Sequence, residues 1–277
     1  MFRTAQALHR AFAGTTLTGA ELRWPSLATR SLTGWTTVEV VARGKHLLHR
    51  FDSGQTLHSH RRMEGRWEIR APAPAPGHHQ LRAVLTTAEK QALGWQLGEL
   101  DLVPTAAEHT LVGHLGPDVL GDDWDPVVAA QRLRRQPERP VGAALLDQRN
   151  LAGLGTMWVS DLLFLTGILP WRPLSELSDS DLSRVLDRAR PALQRSATRP
   201  IPSSTGSTRH GETTWAHGRS GRPCRRCGTP MRVAMAGTAP QQRTLFYCPQ
   251  CQGGLAPGDD GRPQAPLGAG PRRRPGR

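Results

Sequence analysis

Four cysteines confined to one short segment constrain this chain more than any other feature. Cys224 and Cys227 form one Cys-x2-Cys pair, Cys248 and Cys251 form a second, and 20 residues separate the pairs. Each pair can hold one side of a tetrahedral Zn²⁺ ion while a hairpin spans the gap. Because four thiolates leave no coordination position for water, the spacing predicts one structural zinc ion in a small finger.

The charge of the chain points to a polyanionic partner. Lys and Arg together number 36 against 23 Asp and Glu, a net charge of +13, and Arg greatly outnumbers Lys. A guanidinium offers phosphate two donors in a fixed fork, and nucleic acid is the commonest polyanion. A genome rich in Arg, Ala, Gly and Pro codons would give a similar composition, so charge alone does not decide.

Hydrophobic stretches are too short for a membrane span, which needs about 20 apolar residues. The N-terminus leads straight into an amphipathic segment rather than a secretory signal. From these features we expect a cytoplasmic, nucleoid-associated protein that does not bind membranes. We also expect it to be a monomer.

Hydrophobic periodicity changes along the chain. Residues 3–13 place Leu8 and Phe12 on one helical face, which predicts an opening amphipathic helix. From about residue 16 to 102 the pattern becomes short alternating or β-branched runs such as TVEVVARG, HLLHRF and QTLHSH, which predict an antiparallel β-sandwich.

After Asp118 the pattern becomes helical, with predicted helices at 126–135, 139–148, 155–166 and 179–195. The fold class is therefore α+β and multidomain. The predicted parts are an N-terminal β-sandwich (1–115), an α-helical domain (116–200), a mobile basic loop (201–222), the zinc finger (223–252) and a disordered tail (253–277).

Two local features suggest phosphate binding. The sequence LAGLG joins two predicted helices, and the second begins just after Gly155; a helix N-terminus binds anions through its free N–H groups and dipole. Arg243 lies five residues before Cys248, where the apolar LFY run could anchor it and direct its guanidinium at phosphate. A plain helix connection and a solvated arginine are the alternatives.

Six motifs in order and spacing resemble the formamidopyrimidine-DNA glycosylase and endonuclease VIII family, most closely its actinobacterial endonuclease VIII branch. They are ARGKHLL, HSHRRMEGRW, LGPDVLG, LLDQRNLAGLG, HGRSGRPCRRCGTP and QQRTLFYCPQCQ. The resemblance implies a β-sandwich, a helix-two-turns-helix domain and a zinc finger, with double-stranded DNA between them. It also implies base-excision repair: oxidised bases are flipped and excised, and abasic (AP) sites are nicked by β,δ-elimination.

The N-terminus departs from that family. Mature members begin Pro-Glu-Gly, where the proline amine attacks the sugar C1′ and the glutamate acts as acid and base, and this sequence has neither. We expect a start codon assigned six or seven residues too late. The literal alternative is a damaged-DNA or AP-site binding protein without lyase activity. A zinc-ribbon protein of transcription or translation is disfavoured by the glycine turn and its LLDQ context.

The resemblance also assigns residues. Lys45 matches the family lysine of β-elimination, and Arg243 matches the finger arginine of δ-elimination, so both are predicted to be catalytic. Met63 falls where an apolar side chain fills the gap left by the flipped nucleotide. Asp161 stands where many relatives have Glu. The predicted DNA-binding residues are Arg62, Met63, His114, Arg149, Asn150, Thr156 and Arg219.

Overall fold

The structure is a computed structural model that describes residues 1–62, 64–240 and 242–264. Met63 and the end of the predicted tail, 265–277, lie outside the described residues. The chain divides into two compact units, Met1–Leu115 and a second that begins at Gly116. In the described parts of the chain, no helix combines the length and apolar character needed to cross a membrane.

The first unit opens with helix α1 (Phe2–Phe12), which buries Ala5, Leu8 and Phe12. This burial follows the predicted amphipathic face. Gly14 follows the helix with a φ of +74°. Glycine adopts this left-handed conformation without the steric cost that a Cβ would bring, so the helix ends there.

Among the residues that the structure describes in the first unit, eight strands form two antiparallel four-stranded sheets, ordered β1-β6-β7-β5 and β2-β3-β4-β8. Their bounds are β1 Gly19–Leu22, β2 Thr37–Arg43, β3 His46–Phe51, β4 Gln55–His60, β5 Arg66–Arg70, β6 Leu81–Thr86, β7 Gln91–Trp95 and β8 Glu99–Pro104. A four-residue helix, α2 (His109–Val112), follows the last strand.

One hydrophobic core joins both sheets and α1, as the predicted sandwich requires. It contains Phe12 of α1, Leu47 and Leu57 of one sheet, and Leu85 and Ala92 of the other. Strands β1 and β7 were not among the predicted runs. The first has only four residues and the second, QALGW, lacks β-branched side chains, so neither carries a clear strand pattern.

In the described part of the second unit, four helices precede the cysteine-rich segment and agree with the predicted segments to within a few residues. They are α3 Pro126–Arg134, α4 Val141–Leu146, α5 Thr156–Thr166 and α6 Asp179–Ala197. Asp125 caps α3 by accepting hydrogen bonds from the N–H groups of Val127 and Val128. Ser178 and Asp181 form a reciprocal capping box at the start of α6. These caps satisfy amide groups that have no partner inside the helix.

The cysteine-rich segment folds as a hairpin of β9 (Arg232–Ala236) and β10 (Arg243–Tyr247), followed by the short helix α7 (Pro249–Gln252). The hairpin is anchored on α5. Phe246 packs in a buried cluster with Phe164 and Met231, and its N–H donates to the Ser160 hydroxyl at 3.1 Å.

The predicted disorder of 253–277 does not hold for residues 253–264. The Asp259 carboxylate is 3% exposed and pairs with Arg232 of β9, and it accepts a hydrogen bond from the Tyr247 hydroxyl. The composition of this segment suggested nothing to bury. The segment is held by a polar contact instead, which hydrophobic patterning does not reveal.

Candidate functional site

The four cysteine sulfurs come together, as their spacing predicts. The Sγ atoms of Cys224 and Cys251 lie 3.8 Å apart, those of Cys227 and Cys248 3.5 Å, and those of Cys251 and Cys227 3.5 Å. Tetrahedral Zn²⁺ with Zn–S bonds of about 2.3 Å needs sulfurs about 3.8 Å apart. The cluster is therefore shaped to bind a metal ion.

The cysteines differ in environment. Burial raises the pKa of Cys248 above its ordinary value and raises the pKa of Cys251 to about 11. Hydrogen bonds with Thr229 lower the pKa of the exposed Cys227 to about 6. A metal ion bound by these four sulfurs would supply the positive charge that favours their thiolate forms.

In the first unit, Lys45 occupies the tip of the hairpin between β2 and β3. Arg43 pairs with His46, so Gly44 and Lys45 form a two-residue turn, and Gly44 has a φ of +58°. Short hairpin turns require positive φ, which explains the glycine. Lys45 is exposed, and it is one of only two lysines in the sequence.

A cluster of imidazoles lies beside this hairpin and was not foreseen. His46 Nδ1 lies 2.8 Å from His58 Nε2, and the His46 and His60 rings are 4.7 Å apart. Burial, followed by the charges of His60 and His58, lowers the pKa of His46 to about 4. The only hint in the sequence was the His-x-His spacing of a strand, which places both rings on one face.

Two further predicted residues border the imidazole cluster. Arg62 has a φ of +48°, and its exposed guanidinium lies 3.2 Å from the Glu99 carboxylate. His114 is exposed, with its ring 6.2 Å from that of His46. The structure thus gathers Lys45, Arg62 and His114 around one end of the second sheet, while Met63 lies outside the described residues.

In the second unit, the LLDQ segment holds the turn that follows α4. Asp147 accepts two hydrogen bonds from the Arg149 guanidinium, at 2.9 and 2.7 Å, and one from Arg139 at 2.8 Å. These contacts, above all the one with Arg149, hold the Asp147 pKa well below its usual range. Asn150 donates from Nδ2 to the Ala144 carbonyl at 3.0 Å. The sequence reasoning did not single out Asp147, which holds the Arg149 side chain through this ion pair.

The predicted helix N-terminus is present. Gly153 has a φ of +100°, which only glycine adopts easily, and α5 begins at Thr156 after an N-cap, Gly155, that provides no side-chain hydrogen bond. No acidic residue lies in the first turn. The first amide groups of α5 therefore lack a side-chain cap, as in helix N-termini that bind phosphate.

Arg243 is the first residue of β10 and is exposed. Its Nη1 donates to the Gln242 carbonyl at 2.9 Å. Arg219 is only 9% exposed, and its Nη2 donates to the Pro223 carbonyl at 2.8 Å. Burial lowers the pKa of Arg219. The two arginines therefore differ: Arg243 is accessible to a ligand, and Arg219 is largely enclosed by the chain itself.

Asp161 of α5 holds the predicted basic loop. Its fully buried carboxylate accepts hydrogen bonds from the N–H groups of Trp215, Ala216 and His217 at 2.8 to 2.9 Å. It also accepts one from the Ser204 hydroxyl. The loop has no regular secondary structure, but these bonds fix both of its ends on α5 rather than leaving it unattached.

Comparison with known proteins identifies the family. Residues 2–96 match the model of the formamidopyrimidine-DNA glycosylase N-terminal domain, and residues 115–205 match that of its H2TH domain. A "Probable endonuclease 8 2" of Streptomyces coelicolor is 45% identical, over 99% of this chain and 98% of that protein. A "DNA-(apurinic or apyrimidinic site) lyase Nei2" of Mycolicibacterium smegmatis is 43% identical, over 91% and 96%. The chain belongs to the formamidopyrimidine-DNA glycosylase and endonuclease VIII family.

Solved structures agree with this assignment. The Lactococcus lactis formamidopyrimidine-DNA glycosylase in complex with a FAPY-dG-containing DNA is 26% identical, with a TM-score of 0.77 over 91% of this chain and 97% of that one. The same enzyme with an abasic-site DNA gives a TM-score of 0.76 at 25% identity, over 90% and 97%. The predicted family and fold class are confirmed; the roles of individual site residues stay predictions.

Proposed function

We propose that this protein is a base-excision repair DNA glycosylase and AP lyase that acts on oxidised bases and abasic sites in double-stranded DNA. The observation that carries the proposal is the exposed lysine at the tip of the β2–β3 hairpin, in a fold shared with lesion-bound glycosylases. A relative that is 43% identical over 91% of this chain is named an AP lyase.

The chemistry requires an amine, a proton-transfer group and phosphate contacts. An amine that attacks the sugar C1′ expels the base and forms an iminium, which acidifies the neighbouring C2′ proton for elimination. Lys45 is the proposed proton-transfer group of β-elimination. Arg243 is proposed to bind the lesion phosphate and promote δ-elimination, since its exposed guanidinium can form a bidentate contact.

The remaining predicted residues would fix DNA in place. The uncapped N-terminus of α5, with the Thr156 hydroxyl, can donate hydrogen bonds to a phosphate. Arg149 is anchored by Asp147 and is 68% exposed, so it is preorganised for a backbone contact. Asn150 and Arg219 are already bonded within the chain, and we assign them to shaping these contacts.

The metal is proposed to be one structural Zn²⁺ held by Cys224, Cys227, Cys248 and Cys251. Their sulfur separations fit four Zn–S bonds, and the closed ligand set excludes a catalytic water. When bound, zinc would join the segment before β9 to the segment after β10. The hairpin in turn presents Arg243, so the metal supports DNA binding indirectly.

An incision assay tests the proposal. The chain, and the chain extended at its N-terminus to restore Met-Pro-Glu-Gly, are incubated with duplexes that contain an AP site, an oxidised pyrimidine or no lesion. We expect the extended chain to nick the two damaged duplexes and leave 3′- and 5′-phosphate ends. The Lys45→Ala variant should lower nicking at least about tenfold, since general acid–base catalysis contributes at least that much.

The second lysine provides a matched control. Lys90 is exposed at the turn before β7, so Lys90→Ala removes the same charge from the same unit without touching the β2–β3 hairpin. Its nicking rate should equal that of the parent chain. Equal losses in both variants would show a general charge effect and reject the role of Lys45. Absence of nicking by the extended chain on every damaged duplex would reject the proposed activity.

A further inference from the structure

Side chains of types that can bind metals lie on one face of the second sheet of the first unit. His46 pairs with His60 across β3 and β4, and Glu99 of β8 pairs with His60. His58 lies two residues before His60, opposite Asp101. Directly opposed residues and residues two apart share a face, so these five side chains point to the same side.

The side-chain geometry narrows this group to three ligand atoms. One ring nitrogen each of His46 and His58 and a carboxylate oxygen of Glu99 all lie within 4.8 Å of one another. The two nitrogens are 2.8 Å apart. Around a tetrahedral divalent ion, nitrogen and oxygen ligands are about 3.3 Å apart. Small side-chain rotations would therefore suffice to enclose an ion.

The far side of His58 is arranged as it is in known metal sites. Its Nδ1 lies 3.0 Å from the Asp101 carboxylate, and His58 is 1% exposed. An ionised carboxylate only accepts hydrogen bonds, so Nδ1 donates and the Nε2 lone pair faces His46. Carboxylate–histidine pairs of this kind orient imidazole ligands and raise their basicity.

We propose that His46, His58 and Glu99 form a second metal site, which takes a borderline divalent cation of the Zn²⁺, Co²⁺ or Ni²⁺ class. Two imidazoles and one carboxylate match the ligand preference of these ions and leave at least one coordination position open. Water or a phosphate oxygen fills that position. The site is independent of the cysteine cluster and of the proposed lyase activity.

Two further side chains, those of Arg62 and His60, lie next to Glu99. Arg62 pairs with Glu99 at 3.2 Å, and an ion bound to Glu99 displaces or shares this contact; the exposed Arg62 guanidinium can rotate into solvent. His60 Nδ1 lies 4.0 Å from Glu99 Oε1 but accepts a hydrogen bond from the Arg62 N–H at 3.3 Å, so it is not one of the proposed ligands. Without metal, the Asp101–His58–His46 hydrogen bonds satisfy the same atoms, and the experiment separates these two states.

Native mass spectrometry of the full chain with its cysteine site filled counts the ions. During titration with zinc chloride we expect a second Zn²⁺ to bind to the parent chain. Glu99→Gln is an isosteric change of a half-exposed side chain, and His46→Ala removes a partly exposed ring. Each substitution should weaken binding of the second ion at least about tenfold. Asp101→Asn should weaken it by roughly 10- to 100-fold, the usual effect of losing such a hydrogen bond.

The control is His109→Ala, because His109 is exposed on α2 and is not part of the cluster. This variant should bind two ions with the affinity of the parent chain. Circular dichroism confirms that each variant is folded before it is compared. The proposal is overturned if the parent chain stops at one Zn²⁺, or if Glu99→Gln and His46→Ala both keep the second ion with less than a tenfold loss.

Discussion

Arg243 begins β10 with its guanidinium exposed and bonded only to a neighbouring carbonyl among the contacts described for it. If it binds a lesion phosphate, Arg243→Ala should lower affinity for an AP-site duplex about tenfold, the effect of losing one charged hydrogen bond. The slope of log affinity against log salt should fall by about one unit, because one fewer counterion is released. A fluorescence titration at several salt concentrations measures both quantities.

An exposed arginine elsewhere in the second unit provides a charge-matched control for the effect on DNA binding. Arg135 is the C-cap residue that follows α3 and is exposed, so Arg135→Ala changes the net charge by the same amount. Its salt slope should remain that of the parent chain. A salt slope unchanged in Arg243→Ala, or reduced equally in both variants, would contradict a specific phosphate contact at Arg243.

His49 of β3 makes the stability of the first unit depend on pH. Burial, followed by the charge of His9, lowers its pKa to about 3, whereas an unfolded histidine titrates near 6.5. The unfolded chain therefore binds the proton more readily, and stability is present above pH 6.5 and lost as the pH falls below it. Acidification from pH 7.5 to 5.5 should lower the free energy of unfolding by about 1.4 kcal/mol through this one group.

The variant His49→Gln tests whether His49 causes this loss of stability on acidification. Glutamine can keep a hydrogen bond to the buried Thr37 hydroxyl, which lies 2.8 Å from His49 Nε2, but it does not titrate. Urea unfolding at both pH values should show a loss of stability on acidification that is smaller than in the parent chain by about 1.4 kcal/mol. An identical acid loss in both proteins would show that His49 is not held neutral.

At the scale of elements, Asp161 couples α5 to the loop that precedes the finger. Asp161→Ala leaves three N–H groups, that of the buried Ala216 among them, without their carboxylate acceptor, and should destabilise the second unit by about 3 kcal/mol. Proteolysis within residues 204–217 should accelerate. Denaturant unfolding and limited proteolysis measure these effects. Asp187→Ala, at an exposed position of α6, is the control and should change neither.

The elements that the sequence predicted are those with strong local signals. The amphipathic α1, the alternating strands such as β3 and β4, and the helix that starts at Thr156 all follow from periodicity and glycine placement. Strands β1 and β7 carry weak patterns and depend on their neighbours in the sheet. Periodicity is local, so it could not show the anchoring by Asp161 or the Arg232–Asp259 pair, whose partners are distant in sequence.

The residues of the candidate site also differ in how far the sequence alone predicted them. Spacing alone predicted the cysteine cluster, because two Cys-x2-Cys pairs define a tetrahedral ligand set. Lys45 and Arg243 came from resemblance to a family, since a lone lysine or arginine has no diagnostic pattern. The imidazole cluster required the register of three strands, which places His46, His58 and Glu99 together although the first and the last are 53 positions apart in the sequence.

At the scale of the whole molecule, metal removal should affect the two units differently. The β9–β10 hairpin shares a hydrophobic core with the helices of the second unit through Ala236 and Leu245, whereas the sandwich has a core of its own. Removing metal from the cysteine cluster should increase hydrogen exchange in residues 232–247, weaken DNA binding and leave β2 to β4 protected.

Hydrogen–deuterium exchange with metal analysis before and after chelation makes this comparison. One Zn²⁺ in the cysteine cluster is expected beforehand. Protein prepared without chelator that holds no zinc would contradict the metal assignment. Simultaneous loss of protection in the hairpin and the sandwich would contradict the independence of the two cores.

Covalent trapping with borohydride measures whether this protein has lyase chemistry. Reduction captures the iminium that forms when an amine attacks C1′ of an AP site, so a trapped protein–DNA adduct is evidence of lyase chemistry. The chain extended to restore Met-Pro-Glu-Gly should trap AP-site DNA efficiently. The 277-residue chain should bind the same DNA but trap little, because its first amine lies several residues along from the proline position. Failure of the extended chain to trap would contradict lyase activity, and equal trapping by both chains would contradict the role of an N-terminal proline.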